Sequence, residues 1–325
     1  MKAIVLNGFG GLEALTYQDI PKPKAEPGMA VIKIKAFGIN HAEIHMRRGE
    51  WAEAAPVSGI ECVGIIEECP GGEFEVGAKV VALMGGLGRT INGSYAEYTS
   101  APVTNIAAIE SNLSWAQLAA IPESFATAWT TLFRNLKIQK GQTILIRGAT
   151  SSLGTAAVKL AVNAGLKVIA TTRSESRFDQ LLKLGVTRCE VERPDLSEHL
   201  KEAKQLDAVL DLVGNSTVLD SLRIARRDGK VCLAGWLGGL APIPEFNPLL
   251  QMPSGVDLTF FGSFVFGTPG FPVSDIPFQS IAADIEAGKF SADPARVFQF
   301  SEIREAHRVS EANEANGKLV VVHPE

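Results

Sequence analysis

The stretch Gln142 to Arg177, QTILIRGATSSLGTAAVKLAVNAGLKVIATTRSESR, constrains this chain more than any other. Thr143-Ile144-Leu145-Ile146 is a short apolar run suited to a strand buried in a parallel sheet. Gly148 to Gly154 (GATSSLG) is a turn with almost no side-chain bulk. Thr155 to Asn163 has helical periodicity, and Gly165 stands where such a helix ends. Leu166 to Thr172 is a second apolar, β-branched run. A strand, turn, helix and strand within roughly 30 residues form a βαβ unit of the size that holds a dinucleotide.

A helix N-terminus carries unpaired N–H groups and partial positive charge, so it can hold a pyrophosphate, and small residues before it let the backbone approach. The turn departs from G-x-G-x-x-G: Ala149 and Ser151 take the first two glycine positions and Gly154 keeps the third. Thr150, Ser151, Ser152 and Leu153 are the candidate phosphate contacts, with Ser151 and Ser152 as hydroxyl donors. Sites that prefer NAD carry an acidic residue at the end of the second strand to hold the ribose 2′-hydroxyl. Here that end reads Thr172-Arg173-Ser174-Glu175-Ser176-Arg177. Guanidinium groups at 173 and 177 suit a 2′-phosphate, so the expected cofactor is NADPH, with Glu175 as the opposing feature.

A chain of 325 residues exceeds a typical single core, and two domains are expected. Net charge is −5 with no basic tract, which gives no support to nucleic-acid or membrane binding. No apolar run reaches the length of a membrane span, and MKAIVLNGFG turns polar too soon for a secretory signal. Cys62, Cys69, Cys189 and Cys232 form no C-x-x-C pair, which suits reduced thiols and a cytoplasmic protein.

Residues 1 to about 120 contain short β-type runs separated by Pro, Gly and charged turns: Ala3–Leu6, Ala30–Ala36, Gly64–Glu67 and Lys79–Leu83. Ser114 is a candidate N-cap for a helix through Ala120 that Pro122 ends, and a second helix is expected from about Ser124 to Leu136. Beyond the βαβ unit the alternation continues: helix Phe178–Leu184, strands Ala208–Asp211 and Lys230–Ala234, and a strand Phe260–Phe266. This predicts a doubly wound parallel sheet. The tail predicts helices near Ser280–Ala287 and Ser301–Ala312 and a last strand, Lys318–Val322, that returns to the first domain.

Several separate motifs resemble the medium-chain dehydrogenase/reductase superfamily, and within it the zinc-independent quinone oxidoreductases. They are Gly38-Ile39-Asn40-His41-Ala42-Glu43-Ile44-His45-Met46-Arg47-Arg48-Gly49, then Pro56 with Gly59-Ile60-Glu61 and Gly64, then Gly93-Ser94-Tyr95-Ala96-Glu97-Tyr98. Ala119-Ala120-Ile121-Pro122, Thr127-Ala128 and Gly317-Lys318 complete the set, so the resemblance spans the chain. It implies a GroES-like β-barrel catalytic domain (residues 1–120 and 267–325), a Rossmann NADPH-binding domain (121–266) and a cleft at their junction. It also implies a homodimer or homotetramer, with Phe260–Phe266 as the pairing edge.

The resemblance also implies where a catalytic zinc would sit. Asn40 stands at the Cys position and Ile60 at the His position, so no metal is expected. Without metal the protein must hold NADPH against an electron-poor acceptor, a quinone or an activated alkene, and one proton must follow the hydride. Asn40 could bond the nicotinamide carboxamide or an acceptor oxygen, or simply end a strand. His45 falls where many relatives have Tyr; it is a candidate proton donor or a structural histidine. Arg47 anchors an acceptor oxygen or the loop, or pairs with Glu43 at i, i+4. Thr127 matches a position beside the nicotinamide. Val213-Gly214 and Ala234-Gly235 follow Rossmann strands, where loops meet cofactor. Phe264 and Phe266 could present backbone groups to the nicotinamide amide, and Trp51 and Trp236 could stack on a flat quinone. Glu192 stands where many relatives place a tyrosine near the adenosine phosphate. The expected activity is quinone reduction. The alternatives are alkenal or enone double-bond reduction and a non-catalytic NADPH-binding sensor.

Overall fold

The computed structural model describes residues 1–51 and 53–324. They form two compact units: Met1–Ala126 with Ser263–Glu325, and Thr127–Gly262.

In the first unit the strands are β1 (Lys2–Leu6), β2 (Leu15–Asp19), β3 (Met29–Ile39), β4 (Glu61–Glu68), β5 (Lys79–Leu83), β6 (Tyr98–Pro102) and β7 (Ile106–Ala108). The second unit holds β8 (Thr143–Arg147), β9 (Lys167–Thr172), β10 (Arg188–Val191), β11 (Leu206–Asp211), β12 (Ala225–Leu233) and β13 (Asp257–Phe260). The chain then rejoins the first unit with β14 (Arg296–Gln299) and β15 (Leu319–Val322). β15 runs antiparallel to β3, Leu319 opposite Ile39 and Val322 opposite Ala36. The first unit's main sheet has the order β14-β15-β3-β4-β5-β7, with β6 also on β3. Its core gathers the inward faces of these strands, including Ile32, Phe37, Cys62, Val80 and Val321. Phe37 stacks on Tyr95 with ring centroids 4.8 Å apart.

The second unit is a parallel sheet of order β10-β9-β8-β11-β12-β13. Numbered from its own first strand, this is the 3-2-1-4-5-6 order of a dinucleotide-binding sheet, which reverses direction between β8 and β11. Ile144, Leu145 and Ile146 are wholly buried, as a strand covered on both faces requires. The chain is thus a mixed α/β protein with a Rossmann-like parallel sheet and a GroES-like N-terminal unit.

Local expectations needed correction in four places. The helix after the turn begins at Ser152, three residues before the periodicity starts, because Ser151 caps it. Gly165 does follow that helix, at φ +80°. The helix capped by Ser114 runs Trp115–Ala119 and stops before Pro122 as expected, but Pro122 itself opens the next helix (Pro122–Trp129), two residues before the expected start, and the chain continues as a π-helix over Thr130–Asn135. The expected strand Phe260–Phe266 is instead β13, ending at Phe260, with a 3₁₀ turn over Ser263–Val265. β10 and β14 were not foreseen: β10 alternates polar and apolar residues over only four half-buried positions, and β14, mostly exposed, does not alternate at all.

Candidate functional site

In the second unit the candidate cofactor residues line up along one edge. Thr150 to Leu153 follow β8, Thr172 and Arg173 end β9, Val213-Gly214 follow β11, and Gly235 follows β12. All four strands point their carboxyl ends the same way, the edge where open α/β sheets bind ligands. The glycines have steric reasons. A Cβ on Gly154 would press on the Gly148 carbonyl and lie 2.7 Å from Ala149 Cα, so helix and turn pack backbone to backbone. A Cβ on Gly214 would lie 2.8 Å from the Gly235 carbonyl oxygen, so two strand-end loops also touch there.

The hydroxyl roles differ from expectation at Ser151. Its Oγ donates to Gly148 O (2.8 Å) and accepts from Gly154 N (3.0 Å), so it closes the turn and caps the helix instead of offering a donor to phosphate. Arg177 Nη1 reaches Thr150 Oγ1 at 3.5 Å. Arg173 is exposed and has no hydrogen bond or ion pair among the described residues. Thr172 Oγ1 is buried without a partner.

Beneath this edge lies a charged cluster the sequence reading missed. Arg147, the last residue of β8, is wholly buried. Its Nη1 donates to Asp220 (2.8 Å), Ser221 Oγ (3.1 Å) and Thr217 O (3.4 Å). Its Nε and Nη2 both donate to Glu192, and Nη2 also donates to Arg193 O at 2.6 Å. Burial opposes the guanidinium charge, but Glu192, Asp211 and Asp220 outweigh it and hold the group above its ordinary pKa. Asp211 accepts from Val213 N (2.9 Å), Gly214 N (3.0 Å), Thr217 Oγ1 and Ser221 Oγ. Burial pushes its pKa up, against the pull of Arg147 and these donors. The Val213-Gly214 amides are therefore spent on Asp211. The signal was present in the sequence as TILIR and AVLD, apolar strands that each end in one charge.

In the first unit the candidate catalytic residues sit on or beside the helix His41–Arg48, which Asn40 precedes. The Asn40 N–H donates to Glu43 (2.8 Å) and its Nδ2 donates to Glu61 (2.8 Å) and Glu43 (3.3 Å). Its Oδ1 accepts from Lys318 Nζ at 2.6 Å, and Lys318 also pairs with Glu61. Glu61 in turn accepts from Glu123 N (2.7 Å). Asn40 therefore has no amide hydrogen to spare for an acceptor; what remains is acceptor capacity on Oδ1. Burial pushes the Glu43 carboxyl up to about 7, against the favourable charge of Lys318. Glu43, Glu61 and Lys318 lay in the recognised motifs, but their mutual pairing did not.

Arg47 is buried. It donates to Gly10 O (2.5 Å) and to His307 Nδ1 (3.4 Å), and it pairs with Glu311. The i, i+4 pair with Glu43 does not form, and contact with an acceptor gives way to anchoring the helix. His45 donates or accepts through Nδ1 at Glu50 and stacks on Trp51, ring centroids 5.5 Å apart. Phe266 is also corrected: its N–H donates to Ser263 O (3.0 Å) and its carbonyl accepts from Asn105 (2.8 Å), so both backbone groups are taken. Phe264 is 55% exposed, with Arg89 over its ring. Thr127 is buried at the start of the second unit, and its carbonyl accepts from Thr131. Trp236 meets Phe260 edge-on. Among the described residues no group of three or more His, Cys, Asp or Glu side chains could hold a metal ion. No helix among them is long and apolar enough to cross a membrane.

A parallel sheet of this order, its glycine-tight turn and a GroES-like unit define the class: a medium-chain dehydrogenase/reductase. The comparisons agree. Residues 26–111 match the alcohol dehydrogenase GroES-like domain and residues 152–275 match the zinc-binding dehydrogenase family. Quinone oxidoreductase of Pongo abelii is 27% identical over 337 residues, covering 99% of this chain and 98% of that protein. The Mus musculus quinone oxidoreductase is 30% identical over 263 residues, 76% of each chain. A solved NAD-dependent alcohol dehydrogenase superposes with a TM-score of 0.83 at 26% identity, covering 99% of both chains. The chain belongs to the medium-chain dehydrogenase/reductase superfamily and is an NAD(P)-dependent oxidoreductase of the quinone oxidoreductase type.

Proposed function

We propose that this chain is an NADPH-dependent, zinc-independent reductase that transfers a hydride to a quinone. The observation that carries the cofactor choice is Arg173: a guanidinium at the end of β9, exposed and unpaired, beside a turn fitted for phosphates. The fit rests on the backbone-tight Gly148–Gly154 turn, the capped helix behind it and the unpartnered Thr172 hydroxyl. In this reading Thr127–Gly262 binds the dinucleotide and the other unit carries the acceptor chemistry. The chemistry such a group supplies when bound is hydride donation from its nicotinamide ring.

The chain's own residues supply orientation and the proton. Glu50 holds His45 through Nδ1, so Nε2 is the ring atom left to carry a proton to a reduced oxygen. Trp51 fixes the plane of that ring. Arg47, through Glu311 and Gly10, fixes the helix that bears His45. Zinc independence is supported by the chemistry at the ligand positions: Ile60 offers no donor, and Asn40 is spent on Lys318 and Glu61. We further propose a homodimer, or a homotetramer of paired dimers, through the free edge of β13, where Leu258 is 38% and Phe260 51% exposed. The four free thiols suit the cytoplasm.

The test is oxidation of NADPH by the purified chain with a benzoquinone, run beside an enal and beside NADH, before and after chelation. Chelator-resistant turnover with the quinone that prefers NADPH is expected, and His45→Phe should lower kcat about a hundredfold. Turnover only with the enal would make it a double-bond reductase. Tight NADPH binding without turnover would make it a sensor.

A further inference from the structure

We propose that Arg147 sets the nucleotide preference of the dinucleotide edge by withholding the Glu192 carboxylate from it. The inference rests on the reading that this edge binds a dinucleotide.

Glu192 follows β10, and its N–H donates to Thr172 O at 2.9 Å, so its backbone lies against the end of β9. That strand end is where a ribose is read: a free carboxylate there accepts hydrogen bonds from a 2′-hydroxyl and repels a 2′-phosphate. In this chain the Glu192 carboxylate is turned inward. It accepts from Arg147 Nε (3.1 Å) and Nη2 and from the Thr171 hydroxyl, and its side chain is 9% exposed. Arg147 is held in turn by Asp220, Ser221, Thr217 O and Arg193 O, which take its remaining N–H groups. The clamp is therefore rigid and its geometry is specific to a guanidinium fork. Thr171 joins the clamp to the phosphate turn, because its Oγ1 accepts from Gly148 N at 3.0 Å.

With Glu192 sequestered, the unpaired Arg173 is the charge next to the end of β9, and the exposed Glu175, two residues on, is the one carboxylate left in that turn. One buried arginine thus silences a carboxylate that would favour NAD and leaves Arg173, which favours NADP. A lysine at 147 would keep the positive charge but could not hold Glu192 by the same fork.

The experiment is equilibrium titration of the full chain with NADP⁺ and NAD⁺ by calorimetry, which needs no turnover. Four proteins are compared: wild type, Arg147→Lys, Glu192→Gln and the double variant. Arg147→Lys should move the ratio of the two dissociation constants toward NAD⁺ by about tenfold, the low end for a hydrogen bond to a charged group. The double variant should return the ratio to that of Glu192→Gln alone, a rescue that a merely structural role would not produce. Should Arg147→Lys not fold, Thr171→Val loosens the same carboxylate without touching the charge. Its smaller shift in the same direction should also vanish with Glu192→Gln. Equal weakening of both dinucleotides, or a double variant still shifted, overturns the inference. A wild type that binds NAD⁺ more tightly refutes the NADPH reading instead, while the ratio shift still tests the clamp. Binding of neither dinucleotide sinks both.

Discussion

Lowering the pH should unlock the helix that carries His45, through a histidine outside the motif. His307, from the helix Ile303–Glu311, is wholly buried. Its Nδ1 accepts from Arg47 Nε at 3.4 Å, so the neutral ring carries its proton on Nε2 and gives it to Tyr95 Oη, 2.9 Å away. Burial, and then the Arg47 charge, depress its pKa from 6.5 to about 3. The native state thus binds a proton less readily than the unfolded chain, so the stabilisation is complete above about pH 6.5 and is lost as pH falls toward 3. The full depression, about 3.5 units at 1.36 kcal/mol each, corresponds to roughly 5 kcal/mol, and roughly 2 kcal/mol of it is gone by pH 5. In urea denaturation at pH 7, 6 and 5, His307→Gln should lose this slope, since glutamine can accept from Arg47 and donate to Tyr95 without titrating. The stability gap between wild type and variant should close by about 2 kcal/mol from pH 7 to pH 5. A gap that stays constant would refute the reasoning.

Gly154→Ala gains up to about 1 kcal/mol of helix propensity but forces a Cβ into the Gly148–Ala149 backbone, an overpacking cost of about 1–3 kcal/mol. A net loss of melting temperature and a weaker dinucleotide titration are expected; unchanged values in both would show that the close approach is dispensable. Glu43 titrates with the opposite sign to His307. Its carboxyl is raised to about 7 from 4.5, so its stabilisation is present below about pH 4.5 and is lost as pH rises through 7. Glu43→Gln should flatten that fall, worth about 3 kcal/mol at most between pH 5 and 8, and parallel profiles would count against it.

The fold was legible where the physics is local. TILIR and KVIATT read as buried parallel strands because nothing polar interrupts them before their ends, and Gly165 marked a helix end that its positive φ confirms. Legibility failed at β10, whose alternation spans only four residues, at β14, which does not alternate, and at Phe260–Phe266. That run is mostly apolar, yet Phe266 is held by Asn105, far away in sequence, and leaves the sheet. Apolar content alone could not separate a strand from a 3₁₀ turn anchored by a distant side chain.

The site was legible by position and less so by chemistry, for one recurring reason. Asn40, Ser151 and Phe266 were named for hydrogen bonds they could offer a ligand, and Val213 and Gly214 as strand-end loop residues that meet the cofactor. The structure spends the relevant donors and carbonyls within the protein: on Glu61 and Glu43, on Gly148, on Asp211, and on Ser263 and Asn105. A buried polar group left unpaired costs about as much as a hydrogen bond is worth, so residues placed at a site tend to be used in building it. The groups left over are more informative: Arg173, unpaired and exposed; Thr172 Oγ1, buried and orphaned; His45 Nε2, with its partner nitrogen already engaged. Two of the three flank the end of β9, next to the Glu192 carboxylate that Arg147 takes out of play. Specificity at this edge therefore comes from which charges remain unspent, an account that requires the partners of every neighbouring polar atom and that no local motif contains.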